Sequence, residues 1–447
     1  MRGSLGRVLV LLVPLVVLLA IAAALPGPRS AAAVQVGPIH RVVTEPYVFE
    51  PDIAVDPTNS DHLAATVASA DALTCDSLHR ACTATLLLAT SEDGGVTWHE
   101  QRLTAETSID GTVAFTADGM LYEAGLENTP FLTAFVHRGL PETAGGSVGE
   151  FQFPGKPADK PWLSIDQRTR AIFVSHAQLT PDLTGIAGPT TLLLERSTDG
   201  GKTWAPAVVL PPGHDVQVLL GTGTHLAVAY LGPPPGGAAT AYDQSGVNVV
   251  TSSDDGSTFS RPTTLGLGWA LEGTASGAGA DYVAYLAGPQ QTEQVTVAAS
   301  QDGGTTWRSS VASAAAPLFY APVAPPPALG VAPDGTVDLL YYAATSRCTD
   351  PAAFAREYPT QLLGRWLDPC SYNVDYTFSK DGGEHWAPPR QLNGHPLAGP
   401  GFVQIPAGRT RSGDYMGMAS TDQYAYPLWI APDGSGGTEA VTARIRR

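Results

Sequence analysis

The chain has 447 residues, 43% of them hydrophobic, with 48 Gly and 38 Pro against only 15% charged residues. That is enough for a large core, and the mix favours many turns and short strands over long helices. A net charge of −17 repels polyanions, which excludes nucleic acid and anionic membrane surfaces as natural partners.

At the N-terminus, Arg2 and Arg7 precede the apolar run Val8 to Leu25, and Ala31-Ala32-Ala33 offers a small-residue cleavage site before Val34. The pattern predicts a secretory signal peptide over 1–33. An uncleaved N-terminal membrane anchor is the alternative, because the run is long enough to span a bilayer. Residues 34–447 are then expected to form one secreted, monomeric domain with no membrane contact beyond the export signal. The cysteines are Cys75, Cys82, Cys348 and Cys370. An even number in an exported chain predicts disulfides. Local pairing, Cys75 with Cys82 and Cys348 with Cys370, is the simplest arrangement. A zinc site is the alternative, but the spacing is not of the C-x-x-C type and no histidines cluster nearby.

Along the mature chain an apolar strand, a turn and a second apolar strand recur. The units begin at Ile53, Val113, Leu163, Leu219, Ala275, Leu329 and Tyr415. A second repeat interleaves with them: S-E-D-G-G-V-T-W (91–98), S-T-D-G-G-K-T-W (197–204), S-S-D-D-G-S-T-F (252–259), S-Q-D-G-G-T-T-W (300–307) and S-K-D-G-G-E-H-W (379–386). All share Ser-x-Asp-x-Gly-x-x-aromatic and follow an extended run. Each therefore reads as a hairpin turn. The Ser and Asp (Ser91 and Asp93 in the first copy) bond backbone N–H groups, as do Asp199, Asp254, Asp302 and Asp381. The glycines supply positive φ, and Trp98, Trp204, Phe259, Trp307 and Trp386 bury a ring. Two strands per unit plus two per turn motif make four-stranded antiparallel blades. The fold expected is an all-β propeller of seven blades, with six as the alternative. The second unit carries His137-Arg138-Gly139 in place of the motif. Ile39 to Val43 is a spare strand, expected to complete a last blade that ends in Ala440 to Ile445 and so to remove a free edge.

These turn motifs resemble the Asp-box, or bacterial neuraminidase repeat, and the chain from about residue 36 to 447 is similar to the sialidase-like propeller superfamily. Similar boxes occur in sialidases, in xyloglucan-cleaving glycosidases and in non-enzymatic receptors of the sortilin type. The segments Glu50 to Asn59, Asp159 to Trp162 and Gly413 to Gly417 also resemble secreted sialidase-like proteins. For a sialidase the resemblance implies a Tyr nucleophile paired with a Glu, an Asp acid/base, and three arginines that hold a carboxylate by bidentate pairs. Tyr415, Glu272 and Asp110 are the candidates for the first three roles. Arg409 and Arg411 are candidates for an anion site, and Arg41-Val-Val is the nearest match to the first arginine segment. No Lys or Arg lies between Arg261 and Arg308, where an arginine following Glu272 is expected.

Blade topology selects the face. Turns between the first and second and between the third and fourth strands share one face, so the Ser-x-Asp motifs sit there. The long insertions, Asp71–Thr83, Ala177–Thr190, Leu231–Ser245 and Ala344–Tyr372, lie on the other, and long loops on a rigid scaffold are where binding concentrates. The last insertion holds one predicted helix, from Asp350 as N-cap to Pro359. Blade entries share this second face near the axis. They carry Glu50, Asp52, Asp110, Asp159, Asp215, Glu272 and Asp414, accompanied by Lys160, Trp162, Arg409, Arg411 and Tyr415. Such a ring suits paired carboxylates for glycoside hydrolysis or a Ca²⁺ ion; no cofactor is required. Acids also simply start strands and cap turns, and Trp162 suits core packing as well as sugar stacking. The partner expected is a glycan or an extracellular protein, with hydrolysis or plain binding as the alternatives.

Overall fold

The computed structural model describes residues 34–70, 84–103, 108–128, 132–139, 150–152, 157–178, 191–220, 225–234, 245–275, 279–288, 294–313, 327–344, 371–398, 403–405, 408–410, 415–435 and 437–447. Regular structure among these is entirely β-strand. The expected signal peptide, the four cysteines and the helix near Asp350 lie outside the described residues.

The strands form antiparallel sheets in chain order. In the first sheet the strands are Val48–Asp56, Asn59–Ala70, Ala84–Ser91 and His99–Arg102. The second holds Ser108–Phe115, Leu121–Asn128, Leu132–Gly139 and Glu150–Gln152. Ala158–Ile165, Ile172–Gln178, Thr191–Ser197 and Val208–Val209 make the third. The fourth and fifth expected units share a strand. Thr263–Ala275 pairs through its first half with Ser245–Ser252 and through its second half with Asp281–Ala287, so one seven-stranded sheet results. Gly268 sits at the hand-over, where an added Cβ would lie 2.4 Å from the carbonyl oxygen of Leu286. The sixth sheet is built on Ala328–Val331, Val337–Ala344 and Ser371–Ser379. Gly417–Ser420, Tyr424–Pro432 and Thr438–Arg446 are joined in the last by the N-terminal strand Gln35–Arg41, antiparallel to Thr438–Arg446. That strand begins and ends earlier than the sequence suggested. Beyond it the Val42 N–H still donates to the Ala440 carbonyl at 2.8 Å, and Val42 and Val43 are buried between the first and last sheets.

The first strand of each repeat is the inner one, and inner strands pack on one another in chain order. Gly417–Ser420 of the last repeat packs back on Val48–Asp56 of the first. Alternation in these strands puts Ile53, Leu63, Val67, Leu428 and Ile430 into one cluster between those two sheets, with Trp98 against it. Each such fully buried aliphatic side chain contributes about 1.5–3 kcal/mol relative to exposure.

Hydrogen bonds stitch the inner strands together. Asp52 accepts the N–H of Val113 (2.9 Å) and Thr112 that of Leu163 (3.2 Å), while Gln217 accepts that of Gly273. In each case a side chain of one repeat completes the backbone bonding of the next.

The five Ser-x-Asp segments are turns, built alike. In the second copy Asp199 accepts the N–H of Lys202 (3.1 Å), the N–H of Thr203 (3.0 Å) and the Thr203 hydroxyl (2.6 Å). The Ser197 hydroxyl donates to Asp199 and accepts from Gly201 N–H, both at 2.9 Å. Trp204 Nε1 donates back to the Gly201 carbonyl (3.2 Å). In the last copy His385 replaces the threonine, and its Nδ1 bonds Asp381 at 2.7 Å. Gly94 and Gly95 hold φ of 72° and 86°, a region open to glycine. The Thr203, Thr258 and Thr306 hydroxyls, followed by the same residues' N–H groups, hold the carboxyls of Asp199, Asp254 and Asp302 down at about 2. These aspartates are fully engaged as turn clamps.

Candidate functional site

Five inner strands break register where they enter the sheet: between Phe49 and Asp52, Ile109 and Thr112, Asp159 and Trp162, His214 and Val216, and Trp269 and Leu271. These are bulges, which re-aim side chains at the rim of a sheet. In the first three sheets the bulged residue has positive φ without being glycine: Glu50 at 52°, Asp110 at 56° and Lys160 at 50°. The residue that follows explains how the backbone tolerates this. Pro51 and Pro161 have no N–H to leave unbonded. Gly111 sits where an added Cβ would lie 2.8 Å from Leu86 and 2.9 Å from Thr66. Each left-handed non-glycine residue costs about 1 kcal/mol or more, and such strain concentrates at functional sites.

The three bulges are linked. Asp110 N–H donates to Glu50 Oε2 at 3.3 Å, and Lys160 N–H donates to Asp110 Oδ2 at 3.2 Å. Glu50 and Asp110 are buried, whereas Asp159, Lys160 and Trp162 remain half-exposed.

Tyr415 reaches this cluster from the opposite end of the chain. Two residues downstream, Gly417 lies against the first inner strand; an added Cβ there would be 2.8 Å from Ile53 Cγ2 and 2.9 Å from Ile53 N. That close approach sets the Tyr415 ring beside Trp162, with centroids 5.9 Å apart at 58°, and beneath the Lys160 ammonium, 5.0 Å from the ring centre. Tyr415 is 5% exposed, and its hydroxyl has no hydrogen-bond partner among the described residues. Burial raises its pKa well above the ordinary tyrosine value. Asp110, Glu50 and Asp159 add to the rise and Lys160 opposes it. The hydroxyl is therefore a protonated donor at neutral pH. Burial also pushes the Asp52 carboxyl up to about 7, against the N–H bonds it accepts from Val113 and Ile53.

The structure thus brings together Tyr415, Asp110, Glu50, Asp159, Lys160 and Trp162, with Asp52 beside them on the first inner strand. Trp162 stands beside Tyr415 rather than inside a sheet core. The backbone of Glu272 pairs with Ala284 and that of Arg409 with Gln404; their side chains, and that of Asp215, lie outside the described residues, as do Arg411 and Asp414. Arg41 is not part of the cluster. It sits on the outer strand of the last sheet, donates to the Val43 and Thr44 carbonyls at 2.6 and 2.8 Å, and lies 3.9 Å from Glu439.

Among the entry acids whose side chains are described, none joins a group of ion ligands. Among the described residues the group whose ligating atoms lie within 4.8 Å of one another is the exposed Asp381, Glu384 and His385, which is the last turn clamp.

No family model and no curated protein matches the chain. Solved structures do. A lectin, BP39L from Burkholderia pseudomallei, is 11% identical with a TM-score of 0.54, over 88% of this chain and 94% of that one. A protein of unknown function from Dyadobacter fermentans is 13% identical with a TM-score of 0.50, over 93% and 100%. Hadza microbial sialidase Hz136 is 16% identical over 90% and 66%, but its TM-score of 0.43 is too low to bear on this chain. At such identities the likeness is one of fold alone.

Proposed function

We propose that the chain is a secreted propeller of seven blades with Asp-box turns, closed by its N-terminal strand, that recognises a glycan at the blade-entry face. Seven inner strands packed in order, the last against the first, support the blade count, and the pairing of Gln35–Arg41 with Thr438–Arg446 supports the closure. The observation that carries the ligand reading is the Tyr415 hydroxyl. It is buried and has no hydrogen-bond partner among the described residues, is flanked by the Trp162 ring, and is faced by three side chains held in strained backbone. Sugar recognition calls for that combination: an aromatic wall, and convergent polar groups whose hydrogen bonds are completed by the ligand.

Glycoside hydrolysis of the exo-α-sialidase kind is the second reading, favoured by the placement of Tyr415 among carboxylates. A phenol whose pKa is raised needs a base to act as nucleophile, and Asp110 is the buried carboxylate that contributes most to that rise. A glycan array with the mature protein, followed by a fluorogenic sialoside assay, tests both readings. Glycan binding that is lost in Tyr415→Phe supports the first. Turnover abolished by the same substitution with binding retained supports the second. A blank array and no turnover refute both.

A further inference from the structure

We infer that the seam between the fourth and fifth repeats is a pH-operated joint, closed while the Asp281 carboxyl carries its proton and loosened when that carboxyl ionises.

The two repeats are joined by one continuous strand, Thr263–Ala275, which parts from Ser245–Ser252 and takes up Asp281–Ala287. Register shifts lie on both sides of the hand-over, between Val247 and Asn248 on one and between Trp269 and Leu271 on the other. Gly266 and Gly268 stand between them, and glycine gives a backbone the freedom a hinge uses.

Alternate side chains of a strand share a face. Asp281 therefore points the same way as Val283 and Tyr285, which pack on Leu219, Ala227 and Ala229 of the fourth repeat. It sets a carboxyl into an otherwise apolar seam. Asp281 is fully buried, and neither of its oxygens has a hydrogen-bond partner among the described residues. Leu226 and Val337, at the same register position in the neighbouring repeats, are apolar.

Two described groups act on this carboxyl from across the seam and from its own turn. His225, at the start of the Leu226–Gly232 strand, donates from its ring to the Gly303 carbonyl and favours the ionised form; Asp302 disfavours it. Tyr282 is the neighbouring titratable side chain on its own strand. Residues 221–224 and 276–278, which precede His225 and Asp281 and lie outside the described residues, contain no ionisable side chain.

A protonated carboxyl is neutral and tolerable in a dry seam, whereas the ionised form traps a charge there. Burial pushes the Asp281 pKa up to about 7. In an opened, wetted seam it returns to the ordinary carboxylate range. Opening therefore releases a proton between those values, and rising pH favours it by about tenfold per unit until it levels off above about 7.

One amide reports the joint directly. Gly273 N–H, on the shared strand, donates across this seam to the Gln217 side chain. Leu163 N–H donates across a different seam, to the Thr112 hydroxyl, which does not titrate. Hydrogen exchange of the full chain, read at single amides from about pH 5 to 8 and divided by the intrinsic rate at each pH, tests the inference. Protection at Gly273 should fall about tenfold per pH unit up to about 7 and then level off, while protection at Leu163 stays constant within about twofold. Asp281→Asn, which keeps the shape of the protonated carboxyl, should make protection at Gly273 independent of pH; Asp281→Leu serves if that variant does not fold. A flat profile at Gly273 in the unaltered chain overturns the inference. So does a fall shared equally by Leu163, which is global opening, or one that persists when Asp281 is replaced.

Discussion

Asp281 offers a sharp test of how this fold is held. In each regular repeat one residue of the second strand lies directly opposite the serine of the Ser-x-Asp turn. It is Leu63 against Ser91, Ile172 against Ser197, Leu226 against Ser252 and Val337 against Ser379. In the fifth repeat it is Asp281 against Ser300. Asp281 is fully buried, and neither carboxyl oxygen has a hydrogen-bond partner among the described residues. Burial pushes its pKa from 3.8 up to about 7; His225 opposes the rise and Asp302 adds to it. In the pH window between those two values the folded chain binds more protons than the unfolded one, so stability falls as pH rises through it. Above pH 7 the full difference is lost, about 4 kcal/mol at 1.36 kcal/mol per pKa step. Asp281→Leu removes the titration and restores the residue type of the other repeats. Apolar burial adds about 1.5–3 kcal/mol, while fitting the larger side chain costs about 1–3 kcal/mol, so the ionisation difference dominates. At about 2 cal/mol/K of unfolding entropy per residue, 4 kcal/mol in a chain of this size raises Tm by about 4–5 °C. Scanning calorimetry at pH 4.5 and pH 8 decides the matter. The variant's advantage should be small at the lower pH and near its full value at the higher one. An equal advantage at both, or a loss at pH 8, would refute the reasoning.

Arg447 closes another buried network. Its Nε and Nη2 bond Asp338 at 2.6 and 2.5 Å, and Asp338 also accepts from Tyr376 and Ser420 at 2.6 Å. Arg447→Met should cost about 3–5 kcal/mol by stranding a buried carboxylate, and pairing it with Asp338→Leu should recover most of that, read by denaturant melts. At Gly94, with a φ of +72°, an added Cβ would be 2.7 Å from Arg444 Nη1. Gly94→Ala is therefore expected to destabilise by about 1–2 kcal/mol, whereas Gly139→Ala, with nothing within 4 Å of its Cβ, should not. The turn aspartates titrate in the opposite sense to Asp281. Their folded pKa of about 2 lies below the unfolded value, so their contribution is present above the ordinary carboxylate range and lost as pH falls towards 2. In Asp199→Asn the dependence of Tm on pH between 4 and 2 should be shallower than in the unaltered chain.

How much of this the sequence disclosed follows from where the determining interactions lie. The Ser-x-Asp turns are local: every bond of Asp93 falls within Ser91 to Thr97, so a short motif contains its own explanation. The alternation of Leu86 and Leu88 with their neighbours, and the pairing of the N-terminal strand with Thr438–Arg446, were legible for the same reason or from a leftover strand count. The site was legible only in part. Acids at strand entries announced that charge gathers at one end of the first strands, but Tyr415 is separated from Asp110 and Lys160 by most of the chain, and it meets them where Gly417–Ser420 packs on Val48–Asp56, Gly417 lying close against Ile53. Nor does sequence reveal that Glu50, Asp110 and Lys160 are left-handed. Their successors are Pro51, Gly111 and Pro161, two residue types with opposite conformational habits, which serve one purpose here by different means: proline brings no N–H donor and glycine brings no side chain. The same position is thus solved three times by different local means. That is the pattern expected where the backbone path is what matters and the side chain it presents, acid in two sheets and ammonium in the third, is free to be set by what the site must hold.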